Sequence, residues 1–386
     1  MLTSFFPRNR DRALLLPLVG AQLIIGTSLF LLPVLVDTLR VHAGLTAKAA
    51  GLMLSMELAV AALTTICLSA WLPRHSARPL AVAGAALAIA GTLLTLVAPA
   101  PAILIGSRLA AGIGAGMVGA GATCFLSRVI DKEKIIAVVT VSSILDAALW
   151  LAVLPYMIDR IGYRAPYICL LVVNLVGGFL VLRLPGMRNR LRAAGRASTS
   201  PQALSSFLVV MAVFLTQLGQ GAFWSLEETY GRAAGFNDHG IGIVLSVSTL
   251  ILLLGAMAAG WAGERYGQFT TLFAVISANA LSILVVATVP VHWVFVVANI
   301  VQALTNLSAV IYQLGLAARM DRIGRTVAVS TALVTLGNGV GPGLSASLGG
   351  MSIVLVVLVL NGLALALYCI VMTRFVDESQ MTPSLT

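Results

Sequence analysis

The chain has 386 residues, of which 59% are hydrophobic and only 10% charged, where a soluble domain carries roughly a quarter charged residues. That balance excludes an ordinary soluble fold. The formal net charge of +10 is considered below with the positions of the basic residues, because its meaning depends on where they fall.

What recurs along the sequence are apolar runs of about 20 residues, enough to cross a hydrocarbon core of roughly 30 Å as helices. Strand-like alternation is absent, which excludes a membrane barrel. In chain order the runs predict twelve spans, near 13–38, 47–72, 79–98, 102–126, 135–158, 166–183, 204–228, 240–262, 269–289, 291–318, 326–348 and 351–373. Arg8, Arg10 and Arg12 precede a first run that is too long for a signal peptide and lacks a small-residue cleavage site, so it reads as an uncleaved first helix. The gaps between runs leave no room for a soluble catalytic domain.

Lys and Arg accumulate in the cytoplasmic loops of membrane proteins. With the N-terminus inside, eighteen of the 24 basic residues fall on that side, five fall outside (Arg40, Lys48, Arg160, Arg164, Arg232), and Arg108 lies within a span. Both termini are therefore expected in the cytoplasm, and the positive charge reads as a topology signal and not as a nucleic-acid surface. Arg far outnumbers Lys and Ala is abundant, which fits a bacterial inner membrane. Cys67, Cys124, Cys169 and Cys369 lie in separate spans without paired spacing and are expected to be small buried hydrophobes. The histidines sit at span ends without metal-ligand spacing. No metal and no cofactor is expected.

The stretch RLPGMRNRLRAAGRASTSPQ, rich in Arg, Gly, Ser and Pro, divides the spans six and six. The expected organisation is a first bundle over 1–184, a cytoplasmic linker over 185–203 and a second bundle over 204–386. Across this linker the loop SAWLPRHSARPL matches GWAGERYGQFTT at an offset of 191, which also sets Asp37 against Glu228 and Arg108 against Asn299; Asp131 meets Asp321 at 190. Duplicated helical units of this kind build many transporters, with the substrate site between them.

GWAGERYGQ resembles the G-x-L-A-D-R-x-G-R-R signature of the major facilitator superfamily, with Gly260, Glu264, Arg265 and Gly267 at its Gly, acidic, Arg and second Gly positions. RLAAGIGAG resembles the family's R-x-x-x-G-x-G-x-G helix through Arg108, Gly112, Gly114 and Gly116. LPYMIDRIGYRAPY keeps Pro155 of the antiporter G-P-x-x-G-G motif but loses the glycines around it. The resemblance implies an all-α polytopic membrane protein with twelve transmembrane helices in two pseudo-symmetric six-helix bundles, and is nearest to the bacterial drug:proton antiporter branch. It also implies a cytoplasmic gate formed by Arg74, Arg78, Gly260, Glu264, Arg265 and Gly267. The first copy has Pro73 at the acidic position, so the latch falls to Glu264 and Arg265.

A charge at the centre of a span costs about 2.5–3.5 kcal/mol on insertion scales and therefore faces a protein interior or a wet cavity. Spans three, six, nine and twelve carry no charge, only Asn174, Asn279 and Asn361 as strongly polar groups; the resemblance implies that these are outer supporting helices. Elsewhere the polar residues fall at helical spacing: Gln22, Gly26, Phe30, Pro33 and Asp37; Gln217, Gln220, Trp224 and Glu227; Asn299, Gln302, Asn306 and Gln313; Thr335, Asn338 and Pro342. Gln22, Trp150, Gln217, Gln220, Trp224, Glu227, Asn299, Gln302, Asn306 and Asn338 are the candidate substrate-binding residues, with interhelical hydrogen bonding as the bland alternative for each amide.

Asp146, in VSSILDAALWLAV, shares a face with Ser142 and Trp150, Glu57 lies near the middle of span two, and Arg108 in span four. Desolvation favours a neutral carboxyl and a nearby guanidinium favours a charged one, so Asp146, Glu57 and Arg108 are expected to form a proton-coupling network, with Asp37 a further candidate nearer the outer end. A permanent buried ion pair is the structural alternative. The expected function is proton-coupled export of small organic or amphipathic compounds by alternating access, acting as a monomer in the bilayer. Proton symport or facilitated import of a sugar or organic acid is the alternative within the fold, and a membrane sensor or assembly factor the alternative outside it. No nucleophile, base and orienting group can be placed together, which argues against an enzyme.

Overall fold

The structure is a computed structural model and describes residues 9–41, 45–71, 76–97, 101–126, 129, 132–186, 203–320, 325–348 and 350–381. In chain order the helices are α1 (Asn9–Phe30), α2 (Leu32–Val41), α3 (Ala47–Trp71), α4 (Ala77–Val97), α5 (Pro101–Leu126), α6 (Lys132–Ile161), α7 (Ala165–Val181), α8 (Ala203–Trp224), α9 (Glu227–Ala233), α10 (Asp238–Tyr266), α11 (Gln268–Thr288), α12 (His292–Met320), α13 (Arg325–Leu348) and α14 (Gly350–Met381). Among the described residues, ten stretches are long and apolar enough to cross a membrane, and one of them, Lys134–Val181, runs through α6 and α7.

Two predicted spans are broken. The first divides at Leu31 because Pro33, in the opening turn of α2, has no N–H to continue the ladder; Leu31 and Leu35 still donate to the carbonyls of Thr27 and Leu31 at 3.0 and 2.9 Å, so the two pieces stay joined. The seventh divides at Ser225–Leu226. Ser225 Oγ bonds to the Ala222 carbonyl at 2.8 Å and, also at 2.8 Å, to Ser345 Oγ on α13, a side-chain competition with the helix ladder. Leu226 closes the turn on the Phe223 carbonyl at 2.9 Å. The breaks occupy corresponding places in the two halves of the chain, so the fold repeats them as it repeats the loops.

Before residue 182, α1 packs on α5, α6 and α7, α3 on α5, and α4 on α5 and α7; after residue 203, α8 packs on α13 and α14, α10 on α12, and α11 on α12 and α14. Among the described residues, the two sets meet chiefly through α3 with α13, α6 with α10, and α2 with α9. The ends of α7 and α8 mark the linker face, and α2 and α9 the far face. The joints are made close by small residues. A Cβ on Gly339 would overlap Leu58, one on Gly51 the Pro342 carbonyl and Ala346, and one on Gly242 the Leu151 carbonyl and Pro155. Ser246 Oγ donates to the Ala148 carbonyl at 2.7 Å, and the Gly343 N–H to Ser55 Oγ at 2.5 Å. Leu54 and Leu58 of α3, Leu151 and Leu154 of α6, and Ile241 and Leu245 of α10 form one apolar cluster across the seam. In lipid such packing gains dispersion contacts more than water release.

Large apolar side chains including Leu149, Phe179, Met257, Trp293 and Val359 point outward, a surface suited to acyl chains. Two of the cysteines expected to be buried, Cys67 and Cys369, are exposed, while Cys124 and Cys169 are buried; composition does not distinguish a lipid-facing Cys from a core one. Asn174 donates to Thr92 Oγ1 at 3.0 Å and Asn279 to Thr305 Oγ1 at 3.4 Å on neighbouring helices, while Asn361 donates back to the Val357 carbonyl of its own helix at 2.9 Å.

Candidate functional site

Asp146 lies where α6 passes α1. Thr27 Oγ1 donates to one carboxylate oxygen at 2.8 Å, and Trp150 Nε1, one turn on, donates to the other at 3.0 Å. The position is half-buried, and none of the described ion pairs includes it. Ser142, on the same face, bonds back to the Val138 carbonyl at 2.8 Å and adds nothing to it. Asp146 is thus a half-buried acid held by two neutral donors.

Arg108 does not join it, and the single network expected from sequence divides in two. Arg108 is 1% exposed and Glu57 4%. Arg108 grips Glu57 bidentately, with Nε to Oε2 at 2.8 Å and Nη2 to Oε1, the geometry a guanidinium fork favours. Tyr167 lies under the guanidinium with its ring centroid 5.3 Å from Cζ, and Ser28 Oγ donates to Glu57 Oε1 at 3.2 Å. A cavity of about 20 Å³ beside the pair is lined by Ser28, Glu57, Thr92, Arg108 and Asn174, room for about one water. A Cβ on Gly112 would strike the Glu57 carbonyl, so the motif glycine sets how closely α5 approaches the acid. Thr27 and Ser28, adjacent on α1, serve one acid each; neither was selected from sequence, where hydroxyls in an apolar run carry little signal.

The second half holds a different arrangement. Asn338 donates to Gln217 Oε1 at 2.8 Å, Gln217 to Gln313 Oε1 at 3.5 Å, and Gln313 to Thr216 Oγ1 at 2.8 Å. Gln313 is fully buried, so the end of the span-ten stripe nearest the linker is interhelical adhesive, while Asn306 and Asn338 are half-buried. Gln220 is buried, and Gln22 and Trp224 are half-buried; the Gln22 amide lies against Gly26 on its own helix. Asn299 donates to the Phe295 carbonyl at 3.0 Å. Glu227 is 0% exposed. The amides of Asn299 and Gln302 stand beside it, yet no hydrogen bond closes on either carboxyl oxygen or on Gln302 Nε2.

At the far face Asp37 meets Arg232 from the other half at 2.5 and 2.6 Å and Arg40 at 3.0 Å. Arg232 also reaches Asp238 at 2.9 Å and Glu228 at 3.5 Å, and its carboxylate bonds, that to Asp37 first, hold its pKa above the usual range. Asp37 is therefore placed in a cross-seam clasp and not with Asp146 or Glu57. Asp159 and His239 make a second cross-seam pair at 3.1 Å. Sequence reasoning assigned Arg232 to an outer loop without a partner; an offset of four from Glu228 was the available signal.

At the linker face Arg74 lies outside the described residues, as do Asp131 and Asp321. Arg78 is exposed and donates to the Leu182 carbonyl at 3.2 Å. Gly260, Glu264 and Arg265 are exposed, with Arg265 over the rings of Trp261 and Tyr266 at 5.6 and 5.7 Å. The expected gate residues of the second copy are not drawn to the first by any described ion pair. Gly267 has φ of 82°, a conformation open to glycine at little cost, which explains the second Gly of the motif.

A helical membrane protein with acids buried along a central seam is the class that this geometry defines. The model of the Major Facilitator Superfamily matches residues 18–210 and again 209–385, and the chain belongs to that superfamily. No curated protein matches the sequence. Among solved structures, the peptide transporter POT in complex with sulfate is similar with a TM-score of 0.76 at 13% identity, covering 97% of this chain and 96% of its own. A bacterial homologue of the human lysosomal transporter Spinster, inward-facing and unoccupied, gives 0.69 at 15% identity over 99% and 100%. The human organic anion transporter MFSD10 (TETRAN) gives 0.70 at 15% over 95% and 100%. At these identities the likeness is one of fold. The fold is that of a membrane transporter and not of an enzyme.

Proposed function

We propose that the protein is a secondary transporter that exports small organic or amphipathic compounds in exchange for protons, in the manner of the drug:proton antiporters. In this reading twelve spans form two six-helix bundles, 1–184 and 204–386, joined by the linker 185–203. The linker face and both termini are cytoplasmic, as the distribution of Arg and Lys favours, and the chain works as a monomer in a bacterial inner membrane. The described cross-seam bonds then close the outer end of the cavity, leaving substrate and protons to enter and leave by the linker face.

The observation that carries the reading is Asp146: an intramembrane acid on a lining helix, without a cation, held by Thr27 and Trp150. Embedded acids of this kind mark ion and substrate pathways, and Trp150 offers an apolar face beside the acid. Linkage does the rest, because a compound that prefers ionised Asp146 and a proton that neutralises it compete for one cavity. The test uses inside-out vesicles with an imposed pH gradient, in which internal pH is followed as a compound panel is added. Proton release evoked by some compounds in the wild type and lost in Asp146→Asn supports antiport. Compounds that cross without proton movement in either protein overturn it.

Import of a sugar or organic acid by proton symport is the second reading. The half-buried Asn306 and Asn338 and the Gln217 amide favour it, since they suit a ligand rich in hydroxyls. In the same vesicles it would appear as proton uptake with substrate and not as release.

A further inference from the structure

The offset of 191 that relates the two halves sets Ser248 against Glu57 and Asn299 against Arg108. The second half therefore lacks both members of the buried ion pair, yet it buries an acid of its own. Glu227, at the start of α9, is 0% exposed, with both oxygens unbonded, and it faces the residue that stands where the guanidinium would be. Gln302 Nε2, aimed into the same place, is 4% exposed at its residue and also unbonded.

Among the described residues, the helices packed on α9 supply no cation to it: Arg40 of α2, 40% exposed at its side chain, is engaged by Asp37 at 3.0 Å. Arg232 on α9 is engaged by Asp37, Asp238 and Glu228. From α10, Asp238 answers Arg232 and His239 answers Asp159; from α12, His292 stacks on Phe236 with ring centroids 4.7 Å apart. Asp37 of α2 and Glu228 and Tyr230 of α9 can only oppose a second negative charge. Two neutral amides beside the acid offset only part of what burial costs a carboxylate without a counter-ion, so the neutral acid is favoured and such a group keeps its proton. The neutral acid also has an O–H to offer the Asn299 or Gln302 carbonyl oxygen, and a remaining oxygen to accept from Gln302 Nε2.

We propose that Glu227, with Asn299 and Gln302, is a proton-binding site: its carboxyl is protonated while the far face is closed and gives the proton up when that face opens to water. This deepens the proton-coupled reading and rests on it for the release step. Asp146 and Glu227 then form two proton stations, one on each side of the seam, and only the second is sealed in this conformation.

The experiment is infrared difference spectroscopy of the full chain in liposomes at neutral pH, in H₂O and D₂O, for wild type, Glu227→Gln, Glu227→Asp and Asp146→Asn. The expected result is a D₂O-sensitive carbonyl band of a protonated carboxyl that disappears in Glu227→Gln, survives in Asp146→Asn and returns, shifted, in Glu227→Asp. A wild type without such a band, or a band unchanged in Glu227→Gln, overturns the proposal. No substrate is needed, so the outcomes separate: a band lost in Glu227→Gln with no compound-evoked proton movement in vesicles keeps the site and discards coupling. Proton movement in vesicles with the band unchanged discards the site alone.

Discussion

Glu57 and Glu227 are both sealed from solvent, one in each half of the chain, and they differ in what stands opposite. Glu57 has the Arg108 fork, the Ser28 hydroxyl and the Tyr167 ring beneath the guanidinium. Glu227 has two amides and no bond to either oxygen. Because duplicated units present the same helices, the contrast sets a buried acid with a counter-ion against one that has none among the described residues. A paired buried ion is fixed by its partner; an unpaired one is fixed only by its proton.

The largest expected effect breaks the paired side. Arg108→Ala leaves Glu57 charged and alone in the membrane interior, and should cost about 3–5 kcal/mol, whereas Arg108→Gln combined with Glu57→Gln should recover most of it. Thermal unfolding in detergent reads both, and equal losses in the single and double variants would show that the stranded Glu57 charge is not what destabilises Arg108→Ala. Next, Asn299→Arg would give the second half the cation it lacks. Overpacking should cost roughly 1–3 kcal/mol, but the informative result is loss of the protonated-carboxyl band as Glu227 becomes an ion pair. A band that persists would mean that Glu227 and Asn299 are not functionally opposed.

The smallest expected effect concerns the clasp. Arg232→Gln removes a pair whose arginine side chain is 31% exposed, so screening limits the change to about 1 kcal/mol. That is enough to shift an equilibrium between two conformations several-fold. Thiol labelling of Ser55→Cys, a near-isosteric change at a buried position bonded across the seam to Val340 and Gly343, should become faster in Arg232→Gln than with Arg232 present. An unchanged rate would show that apolar packing alone holds this face shut.

Much of the fold was legible because a bilayer imposes one length on every span. The predicted runs agree with the helices to within a few residues, apart from α14, which continues to Met381 beyond the predicted 373, and from the breaks at Leu31 and Ser225, where a proline and a serine act through backbone chemistry that hydropathy does not register. The candidate site was legible in its residues and less so in its pairings. Asp146, Glu57 and Arg108 stand out as charges in apolar helices, but their rotation about each axis, and so the choice of Glu57 over Asp146 by Arg108, is set by three-dimensional packing around Gly112. Thr27 and Arg232 escaped for opposite reasons: one is a hydroxyl among many, the other a charge that looked like an ordinary loop residue.

The account's central claim is that unpaired acids carry coupling and the paired one does not. The most direct measurement compares compound-evoked proton release from inside-out vesicles for Asp146→Asn and for the Glu57→Gln, Arg108→Gln double variant, each against wild type. The account predicts that release is lost in Asp146→Asn and retained in the double variant. Retention in Asp146→Asn together with loss in the double variant would contradict it, and would place the coupling proton on the Arg108–Glu57 pair instead.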